Sequence, residues 1–280
     1  MRILTVDLED WFHCDMMIAP ADAAALESRV VPSTRRILEA LGGRNQRATF
    51  FCLGWIARRH PDLVREIQAA GHEIGCHSDL HRLVPDLGPE EFRKDTGTAV
   101  KTLEDITGAK IRAYRAPAFS ITEREPWAFE ALIENGLEID CSVFPAAHDF
   151  GGFRAFGEAG PAVIEIGGAR IKEFPMSAAR LAGRTVVYSG GGYFRLYPYW
   201  LVRRLLARSP YAMAYFHPRD FDAGQPVKSG LTPVRRFKSY YGLAGAYGKF
   251  ERLLGEFDFA GVSEAADKVR WDEARIVRLR

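Results

Sequence analysis

The alternation of short apolar strands with helices is the feature that most constrains the fold of this 280-residue chain. Apolar runs at 3–6, 48–53 and 73–76 are predicted strands. Apolar residues recur at helical spacing over 33–41 and 61–70, and this pattern predicts two helices between the strands. The alternation continues through the first half of the chain with short connections. Such an order is typical of a parallel sheet or barrel covered by helices, so we expect an α/β fold.

The second half of the chain is less regular. Glycines cluster there, and apolar runs at 162–166 and 185–188 predict hairpin strands. Helical spacing of apolar residues predicts helices over 197–208 and 247–257, and a last strand is expected at 211–216. The final strand would bring the chain back to the sheet.

Composition and charge exclude several classes of protein. The formal net charge is +2, and the basic residues form only short pairs such as Arg35-Arg36, which argues against nucleic-acid binding. No segment approaches 18 uninterrupted apolar residues, so no membrane span is expected. The first residues lack a signal-peptide pattern, and the four cysteines show no C-x-x-C spacing, which favours reduced thiols. A cytoplasmic protein is the expectation that follows.

Acidic, basic and imidazole side chains come directly after the predicted strands. In an α/β barrel the carboxyl ends of the strands open on one face, and catalytic groups gather there. We therefore expect these side chains to lie on one rim. They are, in chain order, Asp7, Glu9, Asp10, His77, His81, Arg115 and His217.

His77 and His81 are candidate metal ligands, although either ring could instead be satisfied by the backbone. Two imidazoles and one carboxylate, with a position left for water, form a common catalytic zinc site, and the same donors suit iron, cobalt or nickel. Three acids within four residues cannot all bind one ion. Asp7 is nearest to the strand end and is assigned as a general base. Glu9 or Asp10 would complete the metal site, with a slight preference for Glu9.

Four motifs carry this chemistry: TVDLED at 5–10, HSDLH at 77–81 within GHEIGCHSDLH, Arg115-Ala116-Pro117, and a histidine, His217, after the last strand. They resemble the motifs of NodB-type polysaccharide deacetylases, which form carbohydrate esterase family four. More narrowly, VDLEDWFH, ATFFCLGW, YRAPAFSIT, GGGYFRLYP and FHPRDFD resemble the branch associated with exosortase and exopolysaccharide gene clusters, which has an additional C-terminal region.

The resemblance implies a distorted (β/α)7 barrel that forms a single deacetylase domain over 1–280. The barrel core would cover about 1–222 and the C-terminal extension about 223–280. The family's usual adjacent Asp-Asp pair is replaced here by Asp-Leu-Glu-Asp. Its fourth motif, an aspartate-bearing stretch that orients the arginine, has no clear match, and Asp140 or Asp149 could replace it.

The resemblance also implies a divalent metal, first of all Zn²⁺, with Co²⁺, Ni²⁺ or Fe²⁺ as alternatives. The reaction would be hydrolysis of an N-acetyl group on a sugar of an exopolysaccharide or its precursor. Asp7 would act as the base, His217 as the acid for the departing amine, and Arg115 would orient Asp7. Asp220 or Asp222 could hold the loop that carries His217, and structural capping is an equal alternative for both.

Several residues near the strand ends could contact the saccharide, although core packing is an equal alternative for each aromatic ring. They are Trp11, Phe12, Trp55, Pro117, Phe119 and Tyr193. Two other functions remain open at this point. One is hydrolysis of a small cyclic amide or ureide, as in the related allantoinases, and the other is glycan binding without catalysis. The sequence makes no prediction of the oligomeric state.

Overall fold

One mainly parallel sheet organises the chain in the computed structural model, which describes residues 1–13, 25–146, 150–181 and 184–279. Within these ranges nine strands form the sheet in the order β10-β1-β2-β3-β4-β5-β7-β6-β11, and β8 and β9 form a separate hairpin. The strands are β1 (Arg2–Leu8), β2 (Thr49–Cys52), β3 (Glu73–Cys76), β4 (Ala113–Tyr114), β5 (Ile139–Asp140), β6 (Ala162–Ile166), β7 (Ala169–Glu173), β8 (Ala178–Leu181), β9 (Arg184–Val187), β10 (Ala212–Phe216) and β11 (Arg275–Arg278).

Helices connect most of the strands. Those in the described ranges are α1 (Val30–Gly42), α2 (Gly54–Arg59), α3 (Pro61–Ala69), α4 (Val84–Thr107), α5 (Trp127–Glu134), α6 (Gly191–Leu196), α7 (Tyr199–Arg208), α8 (Pro233–Tyr240), α9 (Leu243–Glu256) and α10 (Val262–Ala266). None of them combines the length and the apolar character needed to cross a membrane.

The strands from β10 to β7 in the sheet order all run parallel to one another. β6 is antiparallel to β7, and β11 extends the edge by pairing parallel to β6. The expected α/β fold with a central parallel sheet is therefore confirmed. Ile3, Leu4, Val6 and Leu8 of β1 are all fully buried, as is usual for a strand whose two faces are both covered.

One predicted helix begins later than expected, and a further helix precedes it. The helix predicted over 197–208 is observed as α7, which begins two residues later because Pro198 holds Tyr197 in an extended conformation. The glycine-rich stretch 190–192 leads into α6, a helix that the sequence analysis did not predict. Gly190 approaches β10 so closely that a Cβ atom there would lie 2.0 Å from the carbonyl oxygen of Tyr215. Only glycine allows this contact, which places α6 beside the end of β10.

The C-terminal residues pack onto the rest of the fold. Phe250 of α9 contacts the rings of Phe216 and Phe221, with centroid distances of 5.1 and 4.6 Å. The backbone N–H of Val262 donates to Thr49 Oγ1 on β2 at 2.7 Å. Together with β11, these contacts tie the segment after residue 222 to the sheet and to its flanking helices.

Candidate active site

The alternation of side chains along the strands brings the predicted polar residues to one face. Side chains two residues apart in a strand share a face. Ile3 of β1 and Tyr215 of β10 belong to one apolar cluster, and Asp7 and His217 follow them at even spacing. Arg115, directly after β4, reaches the same place and contacts Asp7. This arrangement agrees with the expectation that the polar groups meet at the carboxyl ends of the strands.

Glu9, His77 and His81 form a buried cluster whose ligand atoms all lie within 4.8 Å of one another. Oε2 of Glu9 is 2.7 Å from Nε2 of His81. His77 Nδ1 is 2.8 Å from the carbonyl oxygen of Arg115, and because a carbonyl only accepts, Nδ1 carries the proton. This leaves Nε2 of His77 with its lone pair available, the arrangement commonly seen in histidine metal ligands. One carboxylate and two imidazoles therefore fit a divalent metal.

A strained turn aims His81 at this cluster. Ser78 and His81 both have positive φ, 70° and 58°, which is uncommon for residues other than glycine. The N–H of His81 donates to Ser78 Oγ at 3.1 Å and stabilises the turn. Burial lowers the pKa of His77, which favours the neutral ring that a metal needs. Strained backbone of this kind is often found where a side chain must be held for function.

Asp10, the alternative metal ligand in the sequence, lies outside the cluster. Its Oδ1 accepts hydrogen bonds from the backbone N–H groups of Trp11 (2.9 Å) and Arg29 (3.1 Å), and Ser28 donates to Oδ2. The Asp10 carboxylate thus fastens the chain that enters α1. Of the two acids considered as metal ligands, Glu9 is therefore the one that lies with His77 and His81.

Arg115 holds Asp7 in a buried ion pair. Its guanidinium is fully buried, and Nη1 donates to Asp7 Oδ1 and to Thr5 Oγ1, both at 2.7 Å. Nε donates to the carbonyl oxygen of Cys141 at 3.3 Å, and the guanidinium lies 4.4 Å from the ring centroid of Phe51. The several contacts fix the guanidinium, which in turn fixes one oxygen of Asp7. The second oxygen, Oδ2, faces His217 at 3.8 Å from its Nε2.

His217 faces the cluster with one nitrogen and is held through the other. Its Nε2 is 3.2 Å from Glu9 Oε1, and its Nδ1 is 3.0 Å from Asp220 Oδ2. The same oxygen of Asp220 also accepts the backbone N–H of His217 at 2.9 Å. Burial opposes the charged ring, but the hydrogen bond and the charge of Asp220 outweigh it and raise the pKa of His217 to about 9. Asp220 therefore both caps the turn and orients the imidazole.

Arg195 is a residue of this site that the sequence analysis missed. Its Nε lies 3.1 Å from Asp220 Oδ1, and its Nη1 donates to the carbonyl oxygen of Ser239 at 2.8 Å. Burial raises the pKa of Asp220, but the hydrogen bond with His217 and the charge of Arg195 lower it to about 2. Arg195 thus links the His217 turn to the carboxyl end of α8. Its place in GGGYFRLYP was the only signal in the sequence.

Replacing Asp220 by asparagine should lower kcat roughly tenfold or more while KM changes little. An asparagine cannot supply the negative charge that holds the His217 ring. If His217 acts as a proton donor, its correct position contributes roughly 10²–10⁴-fold to the rate. Asp222→Asn is the matched control, because Asp222 instead pairs with Arg29 and accepts the N–H of Gly224. Steady-state kinetics of both variants check this, and equal losses in kcat would argue against the role of Asp220.

The candidate saccharide contacts divide into two groups. Trp11 and Phe12 are buried and pack with Trp55, with a distance of 6.1 Å between the Phe12 and Trp55 rings. They are therefore packing residues in this structure, as is the buried Pro117, which begins a short 3-10 turn. Phe119 and Tyr193 instead line a cavity of about 320 Å³ that also includes His217.

Asp140 does not take the place of the missing fourth motif. Its carboxylate accepts hydrogen bonds from the N–H (3.0 Å) and the hydroxyl (2.6 Å) of Ser142, and it pairs with Glu173. Within the described part of the chain, the Arg115 side chain donates to Thr5, Asp7, Met213 and the carbonyl oxygen of Cys141, and it makes no hydrogen bond with Asp140. The other candidate, Asp149, lies outside the described residues. The hypothesis that Asp140 orients the arginine is therefore wrong.

Asp140 and Glu173 make a buried carboxyl pair that should shape the pH dependence of stability. Burial raises the pKa of both groups, and their mutual contact raises that of Glu173 further. A raised folded-state pKa means that stability falls as the pH rises from the unfolded value towards the folded one, by about 1.4 kcal/mol per pH unit for one proton. Glu173→Gln needs no proton, so its free energy of unfolding relative to the wild type should increase upward from about pH 4.

Urea unfolding of the wild type and Glu173→Gln across this pH range measures the effect. Glu138→Gln is the control. Hydrogen bonding to Lys110 lowers the pKa of this partly exposed carboxyl. The free energy of unfolding of Glu138→Gln relative to the wild type should therefore not increase with pH. A constant difference in the free energy of unfolding between Glu173→Gln and the wild type at all pH values would contradict a raised pKa of Glu173.

Two family models match the chain. Residues 22–132 match the model described as polysaccharide deacetylase, and residues 141–267 match a domain of unknown function, DUF3473. A peptidoglycan-N-acetylglucosamine deacetylase from Bacillus cereus is 33% identical over 98 residues, which are 35% of this chain and 36% of that protein. A chitooligosaccharide deacetylase from Azorhizobium caulinodans is 36% identical over 85 residues, 30% of this chain and 40% of that protein. The chain thus spans well under half the length of these relatives.

Solved structures resemble the whole fold. A putative polysaccharide deacetylase from Mycobacterium smegmatis superimposes with a TM-score of 0.66 and 21% identity, covering 99% of this chain and 93% of that one. A CE4 family pseudoenzyme from Bacillus anthracis gives a TM-score of 0.53 and 15% identity, covering 99% and 69%. The mixed α/β fold is therefore the one found in carbohydrate esterase family four. The family model and the two relatives thus match part of the chain, and the solved structures share its fold.

Proposed function

We propose that this chain is a metal-dependent deacetylase that hydrolyses the N-acetyl group of a saccharide. The observation that carries the proposal is the meeting of three buried elements at one point. These are the Glu9–His77–His81 cluster, the Asp7–Arg115 ion pair, and His217 held by Asp220. A metal site, a base and an acid within contact distance of one another are the groups that hydrolysis of an unactivated amide requires.

Glu9, His77 and His81 would hold the metal, with Zn²⁺ as the first candidate and Co²⁺, Ni²⁺ or Fe²⁺ as alternatives. When bound, the metal would supply a Lewis acid and a water of lowered pKa. Asp7 is the residue placed to accept the proton of that water, because Arg115 occupies its Oδ1 and leaves Oδ2 directed into the site. Because the carboxylate is held in this orientation, Oδ2 is available to accept a proton.

His217 is placed to complete the reaction. Water adds to the acetyl carbon, the C–N bond breaks, and the departing amine nitrogen needs a proton to leave. Nε2 of His217 faces the cluster 3.2 Å from Glu9, while Asp220 fixes Nδ1 on the other side of the ring. The products are acetate and a free amino sugar. The base thus lies on β1 and the acid directly after β10, the strand that pairs with β1.

The substrate we propose is a sugar of an exopolysaccharide or its precursor. The matched relatives are named for peptidoglycan N-acetylglucosamine and chitooligosaccharide, which supports an N-acetylated amino sugar. The exopolysaccharide assignment rests on the resemblance of VDLEDWFH, GGGYFRLYP and FHPRDFD to the exosortase-associated branch. Two of these segments lie in the region matched by DUF3473, which also contains Arg195 and Asp220.

Mass spectrometry of N-acetylated oligosaccharides after incubation with the protein and a divalent metal tests the proposal. The expected products have lost acetyl groups and gained free amines, with the chain length unchanged. Turnover of a cyclic ureide without acetate release would instead favour the allantoinase-like amidohydrolase. Saccharide binding without any turnover, in protein that lacks metal and is not rescued by zinc or cobalt, would favour a non-catalytic relative.

A further inference from the structure

A cavity of about 320 Å³ is lined both by His217 and by residues of the C-terminal extension. Its volume lies within the range of roughly 300–1,000 Å³ that is usual for small-molecule sites. The strand ends and α6 contribute Phe119 and Tyr193, whereas α8 contributes Phe237, and Tyr241 follows directly after α8. α8 lies in the region matched by DUF3473. This region therefore supplies part of the wall of a cavity that also includes a candidate catalytic residue.

Arg195 fastens the backbone at the end of α8 to the catalytic face. Its Nη1 donates to the carbonyl oxygens of Ser239 (2.8 Å) and Tyr241 (3.2 Å), and its Nη2 donates to that of Lys238 (3.1 Å). The Nε of the same buried guanidinium lies 3.1 Å from Asp220 Oδ1. The wall formed by α8 is therefore held in place, and a preorganised wall loses little conformational freedom when a ligand binds.

Two aromatic side chains of this wall are half exposed although their backbone is held. Phe237 and Tyr241 are 50% and 49% exposed, and their ring centroids lie 4.7 Å apart with an angle of 32° between the ring planes. Leu196 of α6 lines the same cavity and is 45% exposed. Exposed apolar groups that gather at one cavity commonly mark a ligand site. The C–H groups on one face of a pyranose ring suit packing against such rings.

A strained turn presents another ring to the same cavity. Ala118 and Phe119 have positive φ values of 52° and 53°, which are uncommon for residues other than glycine. A Cβ atom on Gly151 would lie 2.0 Å from the carbonyl oxygen of Phe119, so only glycine allows this loop to pack against the turn. The Phe119 ring lies 5.1 Å from that of Tyr215, which also lines the cavity. Backbone strain of this kind is often found where a side chain must be held for function.

We propose that Phe237 and Tyr241 form a subsite for the sugar next to the acetylated one, so that the C-terminal extension selects oligosaccharides over single N-acetylated sugars. The inference rests on the proposed function, because the two rings line the cavity that includes His217. Saccharide recognition is then the role of α8 within the region matched by DUF3473.

The area of the two rings favours a saccharide over a second copy of this chain. An aromatic side chain buries roughly 150–250 Å² in full, so two half-exposed ones offer together about 200 Å². A stable protein–protein interface buries about 800 Å² on each partner. The Phe237–Tyr241 surface is therefore too small for a stable dimer, and its place in a cavity with His217 fits a sugar ring.

Calorimetric binding of N-acetylglucosamine and of its linear tetramer tests the subsite. We expect the wild-type protein to bind the tetramer more tightly than the single sugar. Phe237→Ala should weaken tetramer binding about three- to tenfold, the range expected for one aromatic contact, and leave binding of the single sugar unchanged. Phe237→Tyr keeps the ring and should retain the affinity of the wild type for the tetramer.

Trp200→Ala is the matched control. Trp200 of α7 is a 65% exposed aromatic residue, but it is not among the described residues that line the cavity. This variant should bind both sugars as the wild type does. Equal affinity of the wild type for the two sugars, no affinity for either, or equal losses in Phe237→Ala and Trp200→Ala would overturn the subsite. A dimer that Phe237→Ala converts to a monomer in sedimentation, with tetramer binding unchanged, would overturn it in favour of a second copy.

The binding readout separates this inference from the proposed function. Tighter binding of the tetramer that Phe237→Ala weakens, without acetate release by any variant, would support the subsite and refute the deacetylase. Acetate release from both sugars with equal KM, unchanged in Phe237→Ala, would support the deacetylase and refute the subsite.

Discussion

Alanine in place of His77 should abolish metal binding and acetate release together. The substitution removes one of three buried ligands, and we expect metal affinity and turnover each to fall by more than about 100-fold, since even the outer partners of metal ligands contribute roughly 10–100-fold. The loss should extend to metal content, because Glu9 and His81 alone leave the ion with two protein ligands. Metal analysis of the purified variant by mass spectrometry, beside acetate release, measures both effects.

His72→Ala is the matched control for this experiment. His72 is also buried, at the start of the same short strand segment, but its ring lies 5.4 Å from that of Phe50 and away from the cluster. This variant should keep its metal even if its stability falls. Unaltered metal content in His77→Ala, or equal metal loss in both variants, would contradict the proposed ligand set.

Asparagine in place of Asp7 should lower acetate release roughly 10²–10⁴-fold, the usual contribution of a general base, while metal content stays near that of the wild type. The amide keeps the size of the side chain and an oxygen for Arg115, but it can no longer accept the proton of water. The variant should also be less stable, because the fully buried guanidinium of Arg115 loses its charge partner. Breaking such buried pairs costs about 3–5 kcal/mol.

Asp10→Asn makes the same chemical change three residues away and separates the two effects. Its oxygens only accept hydrogen bonds from Ser28 and from backbone N–H groups, so turnover should stay within a few-fold of the wild type. Kinetics and urea unfolding of both variants provide the comparison. Turnover by Asp7→Asn at the wild-type rate would exclude Asp7 as the base.

The sheet and the catalytic face could be predicted because both follow from local patterns. Apolar runs of four to six residues define the strands, and the period of two then places Asp7 and His217 on the face shared by Ile3 and Tyr215. Parallel strands end on the same side of a sheet, so polar residues after strand ends must converge. The two histidines at 77 and 81 followed from the same rule.

The remaining features depend on contacts between distant parts of the chain. The choice between Glu9 and Asp10 could not be made from the sequence, because the period of two stops where β1 ends. Asp10 is instead engaged by Ser28 and Arg29, eighteen and nineteen residues away. Arg195 was missed for the same reason, since its partners lie on the His217 turn and at the end of α8.

Titration of metal-free protein with Zn²⁺, followed by acetate release from an N-acetylated oligosaccharide, tests the central claim most directly. We predict no release from the metal-free protein and a rise that saturates at one metal ion per chain, as one Glu9–His77–His81 cluster requires. Acetate release that is independent of added metal, or no release at any metal content with Zn²⁺, Co²⁺, Ni²⁺ or Fe²⁺, would contradict the account.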